Sequence, residues 1–354
     1  MDKKVIVGMS GGVDSSLTAH LLKERGFEVE GVSLILFDKG CVNPAGKAPC
    51  CSAETATDAM KTAHALDVKH TCMDMRDEFS EKVIRPFIEA YKKGLTPNPC
   101  ILCNRHIKFP SLIRASDERG FGFIATGHYA KIDNETPLLM RGADTKKDQS
   151  YVLYSLPKEI IRRLILPLGE KTKTEVRVIA ASLHMASAKK PESQEICFIE
   201  AGNYIDFMKS VGEAAASEGD IIDIETGKVL ARHSGIHLFT IGQRKRLPAT
   251  GKPVYVVRVD TLTNNVYIGP AEMAMMKKFM VRDINWLVEP ASSCIRATVK
   301  VRSMMKDEPA SLRLNDDNTV EVEFDGPQWA PAPGQSVVFY DGDIVLGGGV
   351  IQPF

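Results

Sequence analysis

The chain has 354 residues, which is enough for two or three domains. Hydrophobic residues make up 44% and charged residues 25%, as in ordinary globular proteins, and Lys plus Arg balance Asp plus Glu at 45 each. This balance excludes a global positive field, so a polyanionic partner must be held by local basic patches. The sequence shows neither the apolar core of a signal peptide nor a run of about 20 apolar residues, so we expect a cytoplasmic protein.

Residues 1 to about 130 alternate between strand and helix patterns. The strand patterns cover residues 3–9, 27–37, 68–75 and 121–129, and the helix patterns cover 15–26, 52–67, 77–94 and 106–120. This alternation predicts an α/β fold with a doubly wound parallel sheet. In such sheets ligands bind outside the carboxyl ends of the strands, where Ser10, Leu34 and Gly127 are expected to lie.

The hydrophobic periodicity changes along the rest of the chain. Helical patterns continue over residues 151–168 and 172–186, and from about residue 220 the sequence shows period-two alternation with Gly and Asn turns. The second pattern predicts strands, with turn signals spaced as in a small β-barrel. We therefore predict three domains: an α/β domain over residues 1–200, a small central domain over 201–275 and a C-terminal β-barrel over 276–354.

A run of glycine and serine follows the first predicted strand, over residues 8–15, with a helix opening near Asp14. Free backbone N–H groups and the helix dipole make this an anion site. The Walker and dinucleotide patterns both fail, because no lysine follows Gly12 and the glycine spacing differs. The remaining pattern, S-G-G-V-D-S, resembles the PP-loop of ATP pyrophosphatases, with Asp14 placed either to bind Mg²⁺ or to cap the helix. Amidating ligases and RNA-modifying enzymes share such loops, so the acceptor stays open here.

The eight cysteines give the next candidates. Cys100 and Cys103 have C-x-x-C spacing before a basic helix, where a helix N-terminus and Arg105 are expected to lower the pKa of the Cys103 thiol and make it a nucleophile. Zinc is the alternative, although a second pair of ligands at suitable spacing is missing. Taken alone, Cys197 in its I-C-F context is typical of a core. For the remaining cysteines we expect a surface loop around Cys41, Cys50 and Cys51, and buried positions for Cys72 and Cys294.

Several blocks together resemble the tRNA-specific 2-thiouridylase family. They are the loop, "TPNPCILCNRHIKF", "ATGHYA", "KDQSYVLYSL", "ESQEICFI", "IGQRKRLP" and "LGGGVI", in this order over nearly the whole chain. The resemblance implies that ATP is bound by Gly8, Met9, Ser10, Gly11, Gly12, Val13, Asp14, Ser15, Leu34 and Gly127. It implies that tRNA is contacted by Asn98, Pro99, Cys100, His128, Lys147, Asp148, Gln149, Arg302, Ser303 and Gln335.

The same resemblance implies a reaction. ATP, with Mg²⁺, adenylates the C2 oxygen of the wobble uridine in a tRNA anticodon, and sulfur then replaces that oxygen. Cys103 would be the nucleophile, and Cys197 would carry a persulfide delivered by a sulfur-relay protein. A Cys103–Cys197 disulfide would remain, which a reductant must clear.

One position departs from the family pattern, because many members carry Asp where this chain has Cys100. In those members the Asp is assigned an acid–base role at the target base. In this chain either that role is dispensable, or Cys100 acts as a thiolate, or Cys100, Cys103 and Cys197 bind an iron–sulfur cluster. Two other functions also stay open, namely a PP-loop amidating ligase acting on a small acid and a non-catalytic RNA-binding protein.

Local basic clusters suit an RNA partner despite the zero net charge. They comprise Arg141, Lys146 and Lys147, then Arg162, Arg163, Lys171 and Lys173, then Arg244, Lys245 and Arg246. A flipped wobble base would have to reach the region of Cys103.

Overall fold

The computed structural model describes residues 3–37, 53–133, 135–190, 196–199, 207 and 217–354. The predicted loop with Cys41, Cys50 and Cys51 lies outside the described residues. Two compact units divide the chain: the first comprises Met1–Ile84, Pro99–Tyr204 and Asp343–Val345, and the second comprises Arg85–Asn98, Ile205–Gly342 and Leu346–Phe354. Among the described residues, no helix combines the length and apolar content needed to cross a membrane.

The first unit is built on a parallel sheet. Its strands are β1 (Lys4–Gly8), β2 (Glu28–Ile35), β3 (Lys69–Asp74), β4 (Phe123–Ala125), the hairpin β5 (Ala130–Ile132) and β6 (Leu139–Arg141), and β7 (Leu164–Ile165). Five of these strands form one sheet in the order β3-β2-β1-β4-β7, and every pair is parallel. The central residues Val5, Ile6 and Val7 are completely buried, as expected for a strand covered on both faces. The predicted doubly wound sheet is confirmed.

Helices connect these strands. Before residue 190, the described α-helices are α1 (Val13–Glu24), α2 (Ala53–Ala65), α3 (Arg76–Phe79), α4 (Arg85–Lys92), α5 (Pro99–Cys103), α6 (Phe109–Glu118), α7 (Lys158–Ile161) and α8 (Lys173–Ser182). A capping box begins α8, because the Thr172 hydroxyl accepts from the Glu175 N–H and the Glu175 carboxylate accepts from the Thr172 N–H.

Two π-helical turns interrupt the predicted helices. They cover Ser80–Ile84 and Asn104–Lys108, and each ends two residues before a proline, Pro86 and Pro110 respectively. Proline lacks an N–H donor, and its ring clashes with the carbonyl four residues earlier, so a regular α-helix cannot continue through it. A wider turn with i→i+5 bonds resolves the conflict, and the Phe109 N–H donates such a bond to the Asn104 carbonyl.

The helical prediction for residues 151–168 is wrong over most of its length. Only Ser150–Val152 and α7 are helical, and Leu164–Ile165 forms β7 at the sheet edge. Pro157 and Pro167 cut this apolar run into pieces too short for a long helix. A short buried strand and a buried helix have the same apolar pattern, so periodicity alone could not separate them.

The second unit is mostly β-structure, as predicted. A four-stranded sheet has the order β10 (Tyr255–Asp260), β11 (Asn265–Gly269), β8 (Gly219–Asp223), β9 (Val229–His233). Six further strands follow: β12 (Met275–Trp286), β13 (Cys294–Lys300), β14 (Glu308–Leu314), β15 (Val320–Trp329), β16 (Ser336–Asp341) and β17 (Ile344–Ile351). Their order is β12-β15-β14-β13-β16-β17, and pairing of β12 with β17 closes a barrel. The predicted C-terminal β-barrel is confirmed.

One buried ion pair supports the parallel sheet. Glu30 of β2 has 7% of its side chain exposed and accepts from the Arg119 Nε at 2.8 Å. Arg119 also donates to the Thr71 hydroxyl of β3 at 3.2 Å. Removing one partner of a buried pair is costly because the other charge stays buried.

We predict that Arg119→Ala lowers the free energy of unfolding of the first unit by roughly 3 kcal/mol. Lys69, at 3.5 Å from Glu30 but largely exposed, compensates only in part. Urea unfolding followed by circular dichroism measures the change. Arg76→Ala is the matched control, because its partner Asp74 is exposed, and it should leave the unfolding midpoint unchanged. Equal effects of the two variants would contradict the prediction.

Candidate active site

A cavity of the first unit opens at the carboxyl ends of β1 and β4. The chain extends the sheet from β1 to β2 and β3 on one side and then returns to β4 on the other, so the loops after β1 and β4 diverge. Of the residues for which the resemblance implies ATP binding, seven line this cavity: Gly8, Met9, Ser10, Asp14, Ser15, Leu34 and Gly127. Gly11, Gly12 and Val13 form the turn between Ser10 and Asp14.

The loop conformation requires its glycines. Gly11 has φ +70°, and a Cβ there would lie 2.6 Å from the Thr55 carbonyl oxygen. At Gly127 a Cβ would lie 2.8 Å from the Asp14 backbone carbon, so only glycine lets the end of β4 approach the start of α1 this closely. The Ser15 hydroxyl fixes the turn, since it accepts from the Ser10 N–H at 3.1 Å and donates to the Gly12 carbonyl at 3.2 Å.

The N-terminus of α1 is suited to an anion. Gly12 occupies the N-cap position and has no side chain that could bond the first N–H groups of the helix. The dipole of this 12-residue helix adds partial positive charge at the same place. The predicted capping role of Asp14 is wrong, because Asp14 lies inside the first turn of the helix.

The Asp14 carboxylate has other partners. Lys173 Nζ lies 2.7 Å from both carboxylate oxygens, and the Tyr129 hydroxyl donates to Oδ1 at 2.7 Å. Lys173, the first residue of α8, is buried, and its Nζ lies 5.5 Å from the centre of the Tyr129 ring. With a lysine ammonium across both oxygens, Asp14 does not fit the role of a Mg²⁺ ligand, the other role expected from the sequence.

A second lysine that the sequence reasoning missed holds the loop from the other side. Lys190 Nζ donates to the Gly11 carbonyl at 3.0 Å and to Asp58 Oδ2 of α2 at 2.6 Å. Arg177 of α8 donates to the carbonyls of Ala188 and Lys190 and so fixes this segment. No local motif predicts the contacts of Lys173 or Lys190, because each lysine lies more than 150 residues after the loop in the sequence.

His128 and Gln149 line the same cavity, together with Lys108. The backbone of Tyr129 exchanges two hydrogen bonds with Gln149, through the Gln149 side-chain oxygen at 2.9 Å and the Gln149 N–H at 2.8 Å. His128 Nδ1 lies 2.8 Å from the Thr126 hydroxyl. Burial lowers the pKa of His128 well below its usual value, and the Lys108 ammonium lowers it further. His128 is therefore a neutral hydrogen-bonding group at the cavity.

The environment of Cys103 differs from the expected one. Cys103 is buried and ends α5, which begins at Pro99 and continues directly into the π-helical turn. It therefore lies in the interior of a helical run, and Arg105 points to solvent. The expected activation by a helix N-terminus is wrong, because the helical run already begins at Pro99, four residues before Cys103. Cys100 lies one turn before Cys103 and is exposed.

Cys197 is half-buried in the first unit. The ring of the next residue, Phe198, packs edge-on against Phe79 of α3 at 5.7 Å. The π-helical turn Ser80–Ile84 follows Phe79 directly, and α5 packs against this turn. Both candidate thiols thus belong to segments that pack on the helical stretch 76–84.

The iron–sulfur alternative does not fit this arrangement. Among the residues that the structure describes, which include Cys100, Cys103 and Cys197, no group of three or more His, Cys, Asp or Glu side chains is placed to hold a metal ion.

The remaining residues expected to contact tRNA have varied surroundings. The Asp148 carboxylate accepts from the N–H groups of Gly142 and Ser150 and shapes a turn, in which Lys147 also takes part. The Arg302 guanidinium donates to Gln335 Oε1 at 2.9 Å and to the carbonyls of Ile241 and Ala330. Ser303 is exposed, Asn98 is half-buried and Pro99 is buried.

Two basic residues and two cysteines depart from expectation. Lys173 pairs with Asp14 instead of facing solvent, and Arg163 donates to Asp117 and to the Phe121 carbonyl. Both side chains are therefore paired within the protein and do not belong to the RNA-binding cluster expected from the sequence. Cys72 and Cys294 are exposed, although burial, the usual state of a single free cysteine, was expected.

The sheet and its loop define a class of nucleotide-binding domain, and comparison with known proteins agrees. A family model described as tRNA methyl transferase HUP domain matches residues 3–201. The models tRNA methyl transferase PRC-barrel domain and Aminomethyltransferase beta-barrel domain match residues 205–270 and 276–351.

Full-length relatives identify the family. The tRNA-specific 2-thiouridylase MnmA of Clostridioides difficile (strain 630) is 40% identical over 359 residues, covering 99% of both chains. The tRNA-specific 2-thiouridylase MnmA 1 of Caldanaerobacter subterraneus subsp. tengcongensis is 43% identical over 363 residues, covering 99% of this chain and 98% of the relative. This chain belongs to the tRNA-specific 2-thiouridylase family.

We predict that the His128 imidazole stays neutral near pH 6.5, where an exposed histidine titrates. Because its pKa is lowered on folding, the unfolded chain binds the proton more readily, and the His128 contribution to stability falls as the pH drops below about 6.5. NMR titration of the ring protons checks this, with His128→Gln to assign the signal. Lys108→Met should raise the pKa of His128, since it removes the smaller of the two causes. A His128 titration centred near 6.5 would contradict the prediction.

Proposed function

We propose that this protein is an ATP-dependent tRNA-uridine 2-sulfurtransferase acting on the wobble uridine. The observation that carries the proposal is the cavity at the carboxyl ends of β1 and β4, where the glycine loop and the neutral His128 meet in a chain of this family. The cavity lies at the position where open α/β sheets bind nucleotides. Cys103 and Cys197 would supply the thiols that sulfur transfer needs.

ATP would lie with its β- and γ-phosphates on the loop Gly8–Ser15 and the N-terminus of α1. Backbone N–H groups and the Ser10 hydroxyl suit a pyrophosphate leaving group. Leu34, near the end of β2, and Gly127, which follows β4, would contact the nucleoside. Lys108, His128 and Gln149, which also line the cavity, would then face the α-phosphate.

The first chemical step would be adenylation. The C2 oxygen of the uracil attacks the α-phosphorus, an O–P bond forms, and pyrophosphate leaves with the electrons of the bond that breaks. A carbonyl oxygen is a poor leaving group, and its conversion to AMP makes the substitution at C2 feasible. The Lys108 ammonium would stabilise negative charge that develops on the phosphate.

Sulfur would then replace the activated oxygen. In the direct route the terminal sulfur of a Cys197 persulfide attacks C2 and AMP leaves; in the other route the Cys103 thiolate first attacks the Cys197 sulfur, the persulfide S–S bond breaks, and the released hydrosulfide attacks C2 as AMP leaves. In the direct route the Cys103 thiolate attacks the sulfur of Cys197, the S–S bond to the base breaks, and 2-thiouridine leaves with the electron pair. The product is a Cys103–Cys197 disulfide. A dithiol reductant reduces it to two thiols and is itself oxidised to a disulfide.

The partners follow from this scheme: a tRNA, a persulfide-donating protein and the reductant. We propose residues 1–200 as the catalytic domain, with 201–275 and 276–354 contributing to tRNA binding. Asn98, Pro99 and the exposed Cys100 are proposed to contact the target base. For the rest of the tRNA we propose contacts from Lys147, Asp148, Arg302, Ser303 and Gln335.

We predict that Cys103→Ser lowers tRNA thiolation by at least a hundredfold, because a hydroxyl cannot replace the thiolate in disulfide exchange. The assay contains ATP, Mg²⁺, a persulfide donor and unmodified tRNA, and thiolated product is separated on mercury-containing gels. Cys294→Ser is the matched control, since Cys294 is an exposed thiol of the β-barrel, and it should retain wild-type activity. Absence of product with the wild-type protein, or full activity of Cys103→Ser, would refute the proposed function.

A second prediction separates the two thiols. Cys197→Ser should abolish thiolation with the persulfide donor but retain it with free sulfide, because hydrosulfide can attack the adenylated base without a carrier. Both sulfur sources are compared with the same tRNA and gel assay. Equal loss with both sources would show that Cys197 does not act as the persulfide carrier.

A further inference from the structure

A carboxylate at the mouth of a phosphate-binding loop poses an electrostatic problem. Asp14 lines the cavity in which the proposed function places the polyphosphate of ATP. An uncompensated negative charge there repels a polyanion. Yet the carboxylate lies on the first turn of α1, close to the helix end that is meant to attract the phosphates.

Lys173 is placed to compensate the negative charge of Asp14. Its ammonium spans both oxygens of Asp14 at 2.7 Å, and the residue is only 8% exposed. A lysine is seldom buried unless it is paired, so this position is built by the fold. The capping box at Thr172 fixes the start of α8, and the Lys173 N–H donates to Asp144 Oδ2 at 2.9 Å.

Tyr129 gives Asp14 a role that does not depend on its charge. The phenol hydroxyl donates to Asp14 Oδ1 at 2.7 Å and so ties the start of α1 to the chain that follows β4. An asparagine side-chain oxygen could accept the same hydrogen bond. The tie and the charge of Asp14 can therefore be separated by substitution.

We infer that Lys173 is a positioning residue whose charge cancels that of Asp14, so that Asp14 can tie the two loops together without repelling the nucleotide. In this arrangement Asp14 is not a ligand of Mg²⁺, and the metal reaches the site on the phosphates of ATP. The inference rests on the proposed function, because it takes the polyphosphate to bind at this loop.

A cycle of four proteins tests the inference: wild type, Asp14→Asn, Lys173→Met and the double variant. ATP binding is measured by isothermal titration with Mg²⁺ and without tRNA. Lys173→Met should weaken binding about tenfold or more, because it leaves Asp14 uncompensated. Asp14→Asn should bind ATP at least as tightly as wild type, and the double variant should return to within about threefold of wild type.

Thermal melting accompanies each titration and identifies variants that fail to fold. Asp14→Asn should melt earlier although it binds ATP normally, because Lys173 stays buried without its counter-charge. Lys61→Met, an exposed lysine of α2, controls for loss of a positive charge and should bind ATP like wild type.

Two outcomes overturn the inference. If Asp14→Asn alone weakens ATP binding tenfold or more, the carboxylate acts on the metal or the nucleotide directly. If the double variant binds as weakly as Lys173→Met, the lysine acts on the phosphates itself. Failure of the wild-type protein to bind ATP would refute the proposed function instead, so the two failures are distinguishable.

Discussion

The parallel pairing of β1 with β4 is the constraint on which the candidate active site depends. Val5, Ile6 and Val7 pair in register with residues 123–125, so both strands end at the same level of the sheet. The chain leaves them in opposite directions, and the space between the departing loops becomes the cavity. The close approach of Gly127 to the backbone of Asp14 then sets the width of this opening, and a side chain at residue 127 would force the two loops apart.

The two candidate thiols raise a separate chemical question. Cys103 gains no help from a helix N-terminus, and burial does not favour a thiolate. In disulfide exchange, however, the rate also depends on the leaving group. A leaving group whose thiol has a low pKa departs faster. A 2-thiouridine anion spreads its charge over the ring. In the proposed reaction the leaving base can thus supply part of the driving force that the environment of Cys103 does not.

The sequence predicted those features that local patterns determine. Alternating strands and helices predicted the parallel sheet, and the carboxyl ends of its strands predicted that Ser10, Leu34 and Gly127 lie together, as they do at one cavity. The predictions failed where distant residues or prolines determine the local structure. The start of the helix with Cys103 shifted to Pro99, and the π-helical turn before Pro110 has no periodicity of its own. The contacts of Lys173 and Lys190 with the glycine loop could not be predicted, because each lysine lies more than 150 residues from its partner and no local pattern distinguishes a paired lysine from a solvated one.

The bonds from Lys173 and Lys190 to the glycine loop also impose an order of events during synthesis. The loop is made before its partners, which follow 159 and 179 residues later. At the usual rates of translation this gap corresponds to roughly 10–40 s. Throughout that time Asp14 lacks its counter-charge and the Gly11 carbonyl lacks its donor. A nascent chain therefore carries an incomplete nucleotide loop until α8 and the segment after it have left the ribosome.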